Sequence, residues 1–235
     1  YARQWDVPCL GIHTPRAVGE LDEPLVQYVA DRTEALIEPL QDVAGAKLDI
    51  DKLREIIQLS KQCSALWKQV LETAANVPSP ITFFDGTIQM GPAVVMRGTQ
   101  EAVDYYEVLL AELQRRVAAG VAAVEGERTR IYWEGMPIWG KLKDLSNQFL
   151  QLRICVVAST YCNSWIFEDL DPGDPFASMA RAYSSIFICR SDDRKEEYIE
   201  QMAKKFKVDG ILYHDAKTCP NNSNSRYEMP QRMRQ

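Results

Sequence analysis

The chain has 235 residues, of which 46% are hydrophobic and 26% are charged, so it can bury a core without disulfide scaffolding. Its 33 acidic and 27 basic side chains give a formal net charge of −6, and no basic patch interrupts this balance. An acidic surface repels phosphate groups, which argues against binding to nucleic acid or to an anionic membrane. No run approaches the roughly 18 apolar residues of a membrane-spanning helix, so we expect a soluble protein.

The ends and the cysteines indicate a segment of a longer cytoplasmic protein. Residue 1 is not methionine, no secretory signal follows it, and the last residues from Arg232 resemble the opening turns of a helix. Six cysteines without a CxxC pair predict reduced thiols in the cytoplasm. Four of them lie in apolar segments and are expected to be small buried hydrophobes: Cys9, Cys63, Cys155 and Cys189.

The first half of the chain predicts one short strand followed by helices. Residues 8–13 are an apolar run that ends at a Thr-Pro turn, which predicts a buried strand. Helical spacing of apolar residues runs from Asp22 to Leu40, a second helix follows the capping residue Asp49, and a third follows Thr99. Between the last two, residues 78–98 contain repeated Gly and Pro breaks, which predict a folded connector.

After Gly126 the pattern alternates between strands and helices. Strands are predicted at residues 130–134, 153–160 and 210–214, with helices at 138–150, 176–186 and 192–207. This order is typical of a parallel α/β sheet. Ligands of such sheets bind beyond the carboxyl ends of the strands, so we expect the segments that follow Trp133, Ser159 and Tyr213 to converge on one pocket.

Each of these strand ends leads into a chemically unusual segment. Residues 133–139 begin a helix whose free N–H groups suit an anion or carbonyl, and their two tryptophans line an acyl pocket or act as hydrophobic pegs between helix and sheet. Residues 159–165 crowd hydrogen-bonding and thiol groups together, which predicts a functional loop. The third segment, from His214 to Asn224, combines an imidazole, the Cys219 thiol and several amides.

Cys219 is a candidate nucleophile or metal ligand, because His214, Lys217 and a helix start near Ser223 would lower the pKa of its thiol. A hydrolase triad would need a base with a carboxylate partner, and the chain has only two histidines. A closed zinc site would need close Cys or His pairs, which are absent, whereas a cluster held by cysteines from distant segments is compatible. The sequence also lacks the GxGxxG, GxxxxGK[ST] and HExxH motifs.

Several segments resemble the benzoyl-CoA reductase and 2-hydroxyacyl-CoA dehydratase family over most of the chain. The resemblance is carried by RIYWEGMPIW at 130–139, VASTY at 157–161, MARAY at 179–183 and DGILYH at 209–214. DIDKLR at 49–54 and RGT at 97–99 look like the helical region of those proteins. The CPNNSN run at 219–224 looks closer to the reductase-type subunits.

This resemblance implies an α/β fold with two flavodoxin-like lobes joined by a layer of long helices. Residues 1–77 would form the end of the first lobe and long helices, 78–98 a connector, and 99–235 a further helix and the second lobe, truncated at its end. It also implies a 4Fe–4S cluster held by cysteines of both lobes, with Cys219 as the second-lobe ligand and the other ligands upstream of residue 1. For Cys162 we expect a structural role in preference to ligation.

The implied reaction is the reduction of an acyl-CoA thioester by one low-potential electron, delivered by a separate iron–sulfur activator that alone binds ATP. His214 is the implied catalytic residue, beside the cluster or the thioester carbonyl, although a histidine that only satisfies the strand end with a backbone hydrogen bond fits as well. The implied substrate-binding residues are Trp133, Ser159, Tyr161, Asn221 and Asn222.

Three functions remain open at this point. The first is the catalytic subunit of a benzoyl-CoA reductase type enzyme that reduces an aromatic acyl-CoA. The second is dehydration of an (R)-2-hydroxyacyl-CoA through a ketyl radical, with the same cluster and activator but no net consumption of electrons. The third is a scaffold subunit that holds no metal and pairs with a cluster-bearing homologue. All three predict a cytoplasmic assembly that contains a homologous subunit.

Overall fold

The computed structural model describes residues 2–216 and 228–234. Three strands, β1 (Thr129–Glu134), β2 (Ile154–Ser159) and β3 (Gly210–Tyr213), form one sheet in the order β2-β1-β3. The helices, in chain order, are α1 (Ala2–Trp5), α2 (Glu23–Glu34), α3 (Ile37–Ala44), α4 (Ile50–Glu72), α5 (Phe83–Gln89), α6 (Gly91–Val95), α7 (Gln100–Ala118), α8 (Leu142–Gln151), α9 (Thr160–Asn163), α10 (Pro175–Ser184), α11 (Asp192–Lys205) and α12 (Met229–Arg232).

Helices α4 and α7 form the centre of a helical layer, and α4 begins at the predicted cap. The Asp49 carboxylate accepts hydrogen bonds from two backbone N–H groups of the first turn of α4, and the Thr99 hydroxyl accepts one at the start of α7. The two helices pack through the rings of Trp67 and Tyr106, whose centroids are 5.3 Å apart and which are both fully buried. No helix of the described residues is long and apolar enough to cross a membrane.

The sheet is parallel throughout, which confirms the predicted α/β fold class. Strand β1 lies in the centre and pairs with β2 on one side and β3 on the other. Helix α8 connects β1 to β2, and α9, α10 and α11 lie between β2 and β3 in the chain. All three strands therefore end at the same edge of the sheet, which is where the site is expected.

Arg130 of β1 is held in a buried ion pair and connects the sheet to the helical layer. The Arg130 guanidinium contacts the Glu127 carboxylate, and their side chains are only 7% and 4% exposed. Arg130 also donates to the carbonyl oxygens of Ala74, at 2.6 Å, and Phe206, at 2.9 Å. One hydrophobic cluster runs through both parts, and Phe83 of α5 belongs to it. The connector 78–98 is therefore packed into the core, while the domain boundaries at 77 and 98 stay a prediction.

The first fifty residues depart from the sequence-based expectation in three ways. Residues 8–13 form no strand, because they pair with no other strand of the described chain and are exposed, so the prediction that Cys9 is buried is wrong. The helix predicted from Asp22 to Leu40 is broken between α2 and α3. Pro39 explains the break, because it has no N–H to donate to Ala35 and is tolerated only in the first turn of a new helix.

Candidate active site

The carboxyl ends of the three strands bring the predicted segments together. Trp133 is in register with Ser159 of β2, and Glu134, the last residue of β1, is in register with Tyr213 of β3. The backbone N–H of His214 continues this pairing by donating to the Glu134 carbonyl at 2.9 Å. The three strand ends therefore lie side by side, and the prediction that the segments after them line one pocket stays a prediction.

A chain of hydroxyl groups leads to a buried carboxylate at this edge. Glu134 is 1% exposed, and its Oε2 accepts a hydrogen bond from the Thr160 hydroxyl. The Tyr132 hydroxyl lies 2.7 Å from Thr160 Oγ1 and is the donor to it, because the Thr160 hydrogen is already directed at the carboxylate. Burial raises the pKa of Tyr132, so this hydroxyl stays protonated. The two hydrogen bonds hold the Glu134 carboxylate in place at the end of β1.

Lys195 places a positive charge near this chain. Its side chain is 4% exposed, and Nζ lies 3.6 Å from Asp192 Oδ1. Burial lowers the pKa of Lys195, an effect that Arg16 reinforces and that Asp192 and Glu134 oppose by attraction. The lysine therefore offsets part of the cost of burying the Glu134 carboxylate.

His214 is oriented by the loop that follows β1. Its Nδ1 lies 2.6 Å from the carbonyl oxygen of Met136, and because a carbonyl only accepts, Nδ1 carries a hydrogen and donates it. The Trp133 indole donates to the same carbonyl at 3.1 Å, and the Trp133 and His214 rings are 6.2 Å apart. His214 thus makes the backbone contact expected of a strand-end histidine, through Nδ1 and not through Nε2.

Of the other predicted substrate-binding residues, Trp133 and Ser159 lie in the core. Trp133 is 1% exposed and stacks on Phe83, with ring centroids 5.2 Å apart and planes 13° apart. Ser159 is 2% exposed, and its hydroxyl accepts the Cys162 N–H at the start of α9. Tyr161 is half-buried and meets the Trp139 ring edge-on at 5.9 Å. A role in the wall of an acyl pocket stays a prediction for all three.

The described cysteines do not make a cluster site. Cys63, Cys155 and Cys162 are buried, and burial raises the pKa of Cys155 to about 12 and that of Cys162 to about 11, so their thiols stay protonated and unreactive. Within residues 2–216 and 228–234, no group of three or more His, Cys, Asp or Glu side chains is arranged to hold a metal. Three predicted site residues lie outside the described residues: Cys219, Asn221 and Asn222.

A cavity of about 460 Å³ opens beside the end of β2. It is bounded by α4, by α11, by residues 163–169 and by the end of α10, and we call it the α4–α11 cavity. Thr160, which donates to Glu134, is part of its lining. The cavity and the buried carboxylate therefore meet at one side chain, and the volume is in the range of roughly 300–1,000 Å³ found for small-molecule sites.

Sequence reasoning missed Lys195 and Tyr198, two polar residues of this cavity. Both lie on α11, a segment with so many charges that it reads as a solvated helix. Burial raises the pKa of Tyr198, whose hydroxyl is hydrogen-bonded to Asn163. The sequence does contain a signal for them, because a spacing of three residues places both side chains on the same face of a helix.

Comparison with known proteins gives the family. The family model described as 2-hydroxyglutaryl-CoA dehydratase, D-component, matches residues 1–235. The (R)-2-hydroxyisocaproyl-CoA dehydratase alpha subunit of Clostridioides difficile is 29% identical over 238 residues, covering 98% of this chain and 57% of that protein. A benzoyl-CoA reductase subunit of Thauera aromatica is 30% identical over 214 residues, covering 86% of this chain and 50% of that protein.

A third relative, the lactoyl-CoA dehydratase alpha subunit of Anaerotignum propionicum, is 28% identical over 220 residues, covering 93% of this chain and 52% of that protein. The chain thus spans about half the length of the curated relatives it matches. The match includes the helical layer as well as the strand ends, since the family model extends over residues 1–235. This chain therefore belongs to the 2-hydroxyglutaryl-CoA dehydratase D-component family.

Proposed function

We propose that this chain is part of the catalytic subunit of a radical acyl-CoA enzyme that reduces an aromatic acyl-CoA. The observation that carries this proposal is the family match over the whole chain, together with 30% identity to a benzoyl-CoA reductase subunit. In this proposal the partners are the acyl-CoA substrate, a homologous cluster-bearing subunit and an ATP-dependent iron–sulfur activator. ATP is used only by the activator, and the assembly is cytoplasmic.

The proposed cofactor is a 4Fe–4S cluster, which would supply one-electron transfer to the thioester. Cys219 is its proposed ligand from this chain, and Cys155 and Cys162 do not compete for that role because they are buried protonated thiols. His214, Asn221 and Asn222 are proposed to lie around the thioester.

Trp133 has a supporting role in this proposal. Its indole shares the Met136 carbonyl with His214, so it holds the imidazole and the loop after β1 in place. Ser159 similarly fixes the first turn of α9, which presents Tyr161 next to the strand end. We therefore expect the aromatic ring of Tyr161, in preference to that of Trp133, to be within reach of the acyl group.

The second candidate is dehydration of an (R)-2-hydroxyacyl-CoA, which is favoured by the dehydratase names of the other relatives, among them the phenyllactyl-CoA enzyme of Clostridium sporogenes. The two reactions differ in electron balance. Reduction of the ring consumes donor electrons in proportion to the product formed, whereas dehydration needs donor electrons only in catalytic amounts.

The deciding experiment uses the full-length subunit with its partner and activator under anoxic conditions. Reduced donor and product are counted during turnover of benzoyl-CoA and of a 2-hydroxyacyl-CoA. A constant ratio of donor oxidised to benzoyl-CoA consumed supports the reductase. Turnover of the hydroxyacyl-CoA without net donor oxidation would refute the reductase and support the dehydratase.

The cluster is tested separately by anoxic iron and sulfide analysis of the full-length subunit. Cys219→Ser should lower the iron content and change the visible-region absorbance, whereas Cys9→Ser, at an exposed cysteine, should leave both unchanged. Equal iron in the wild type and the Cys219→Ser protein would show that Cys219 is not a ligand. An intact wild-type subunit without iron would support the scaffold function.

A further inference from the structure

Resting on the proposed function, we propose that the α4–α11 cavity binds the acyl side chain of the CoA substrate and favours an apolar side chain the size of a ring or an isobutyl group over an acetyl group. The cavity has no role assigned to it by the family match or by the predicted site residues. Its position is suitable, because Thr160, Asn163 and Ser164 line it from the first turns beyond β2, the edge where parallel sheets bind ligands.

The inner walls of the α4–α11 cavity are apolar. Phe167 and Ala182 are 5% and 3% exposed and form one side, and Phe206, 2% exposed, lies at the end of α11. Ile186 and Met202 complete the lining between these walls. A side chain the size of a phenyl ring or an isobutyl group would replace water against these surfaces, which favours binding in proportion to the apolar area covered.

The charged groups at the rim form ion pairs with one another across the mouth of the cavity. Lys68 of α4 pairs with Glu168 at 2.5 Å, and Lys205 of α11 pairs with Glu72 of α4 at 2.5 Å. These side chains are 34–60% exposed, so they lie in solvent at the entrance and contribute little to binding energy.

Two further cations of the lining have carboxylate partners. Lys195 is held by Asp192 and by attraction to Glu134, and Arg194 contacts both Glu20 and Glu197. A carboxylate at the end of the acyl side chain would have to leave water and displace one of these partners to reach them. Arg190 donates to the Gly19 carbonyl at 2.7 Å, and its buried Nε has no hydrogen-bond partner among the described residues, so it is the lining cation through which a preference for a carboxylate would act.

The test measures binding of CoA thioesters to the full-length enzyme complex by anoxic calorimetry without reductant, so that no turnover occurs. Burying a ring-sized side chain predicts that benzoyl-CoA and 4-methylpentanoyl-CoA bind roughly 10- to 100-fold more tightly than acetyl-CoA. Equal affinities for benzoyl-CoA and acetyl-CoA would overturn the proposal. So would tighter binding of glutaryl-CoA than of benzoyl-CoA that Arg190→Met abolishes.

Two substitutions fill the cavity. Ala182→Leu extends an inner wall, and Gln201→Trp adds an indole at the exposed rim, so one variant remains informative if the other fails to fold by circular dichroism. In each variant the affinity for benzoyl-CoA should fall to within about threefold of the affinity for acetyl-CoA, which binds mainly through its CoA moiety. The matched control Gln148→Trp, on the exposed face of α8 and outside the cavity, should keep the wild-type preference.

The outcomes separate this inference from the proposed function. If no CoA thioester binds or reacts, the proposed function fails and the inference fails with it. If thioesters bind and are turned over but both cavity-filling variants keep the wild-type preference for benzoyl-CoA, only the inference fails. Loss of the preference in the two variants and its retention in the control support the inference.

Discussion

Replacing Arg97 with Lys should destabilise the protein and loosen one wall of the α4–α11 cavity. The Arg97 guanidinium donates to the Ala93 carbonyl at 3.0 Å, to the Ser64 hydroxyl and to the Trp165 carbonyl at 2.5 Å. It also lies over the Phe167 ring, 4.3 Å from its centroid. Arg97 therefore ties α4 and α6 to the segment that carries Phe167 into the cavity lining.

The magnitude follows from the hydrogen bonds that a lysine cannot replace. A single ammonium on an unbranched chain lacks the planar fork of arginine and satisfies one of the three acceptors at most. Losing two charge-assisted hydrogen bonds, each worth about 1.5–3 kcal/mol, lowers the free energy of unfolding by at least about 3 kcal/mol. The charge is kept, so the effect reports on geometry.

Urea denaturation monitored by tryptophan fluorescence measures this change. With a slope of about 2–3 kcal/mol per molar urea, the midpoint of Arg97→Lys should fall by at least about 1 M. Arg115→Lys, the same substitution at a side chain that is 75% exposed, should change the midpoint by less than about 0.3 M. Equal midpoints for Arg97→Lys and the wild type would refute the reasoning.

Three further predictions concern stability. Gly98→Ala should lower the free energy of unfolding by roughly 1–3 kcal/mol, because Gly98 has φ +88° and an added Cβ would lie 2.6 Å from Ile56 Cγ2. The control is Gly140→Ala, whose added Cβ meets nothing within 4 Å, and thermal unfolding compares the two variants. Asp49→Ala should cost about 1 kcal/mol in urea denaturation through loss of the α4 cap. Burial raises the pKa of Cys155 to about 12, so the unfolded chain loses this proton first and stability should fall as pH rises from about 9. Cys155→Ala should reduce this fall in pH-dependent urea titrations, and the remainder is due to other buried groups such as Cys162.

The long helices and the parallel sheet were predictable because local signals agree with the final packing. Asp49 caps α4 where the sequence places it, α7 begins within one residue of the predicted start at Thr99, and the strands of residues 130–134 and 210–214 appear within one residue of the predicted limits. In these segments the period of the apolar residues, the capping residue and the Gly or Pro residues that end the element all indicate the same structure.

The N-terminal segment was mispredicted because an apolar run alone does not supply a strand partner. Residues 8–13 have the composition of a buried strand, yet the described chain offers them no neighbouring strand to complete a hydrogen-bonded ladder. The break before α3 was visible in the sequence as Pro39, and the apolar period across it concealed the break.

The site was only partly predictable, for a reason that helix α11 makes clear. Its charges predict a solvated helix, yet Lys195 is 5% and Ile199 1% exposed, and Ile199 packs in the core while Lys195 lines the α4–α11 cavity. The period of the hydrophobic residues shows which face of a helix turns inward, but it does not show whether that face packs against other side chains or lines a cavity. That distinction depends on the separation of α4 from α11, which face each other through residues far apart in the chain, such as Lys205 and Glu72.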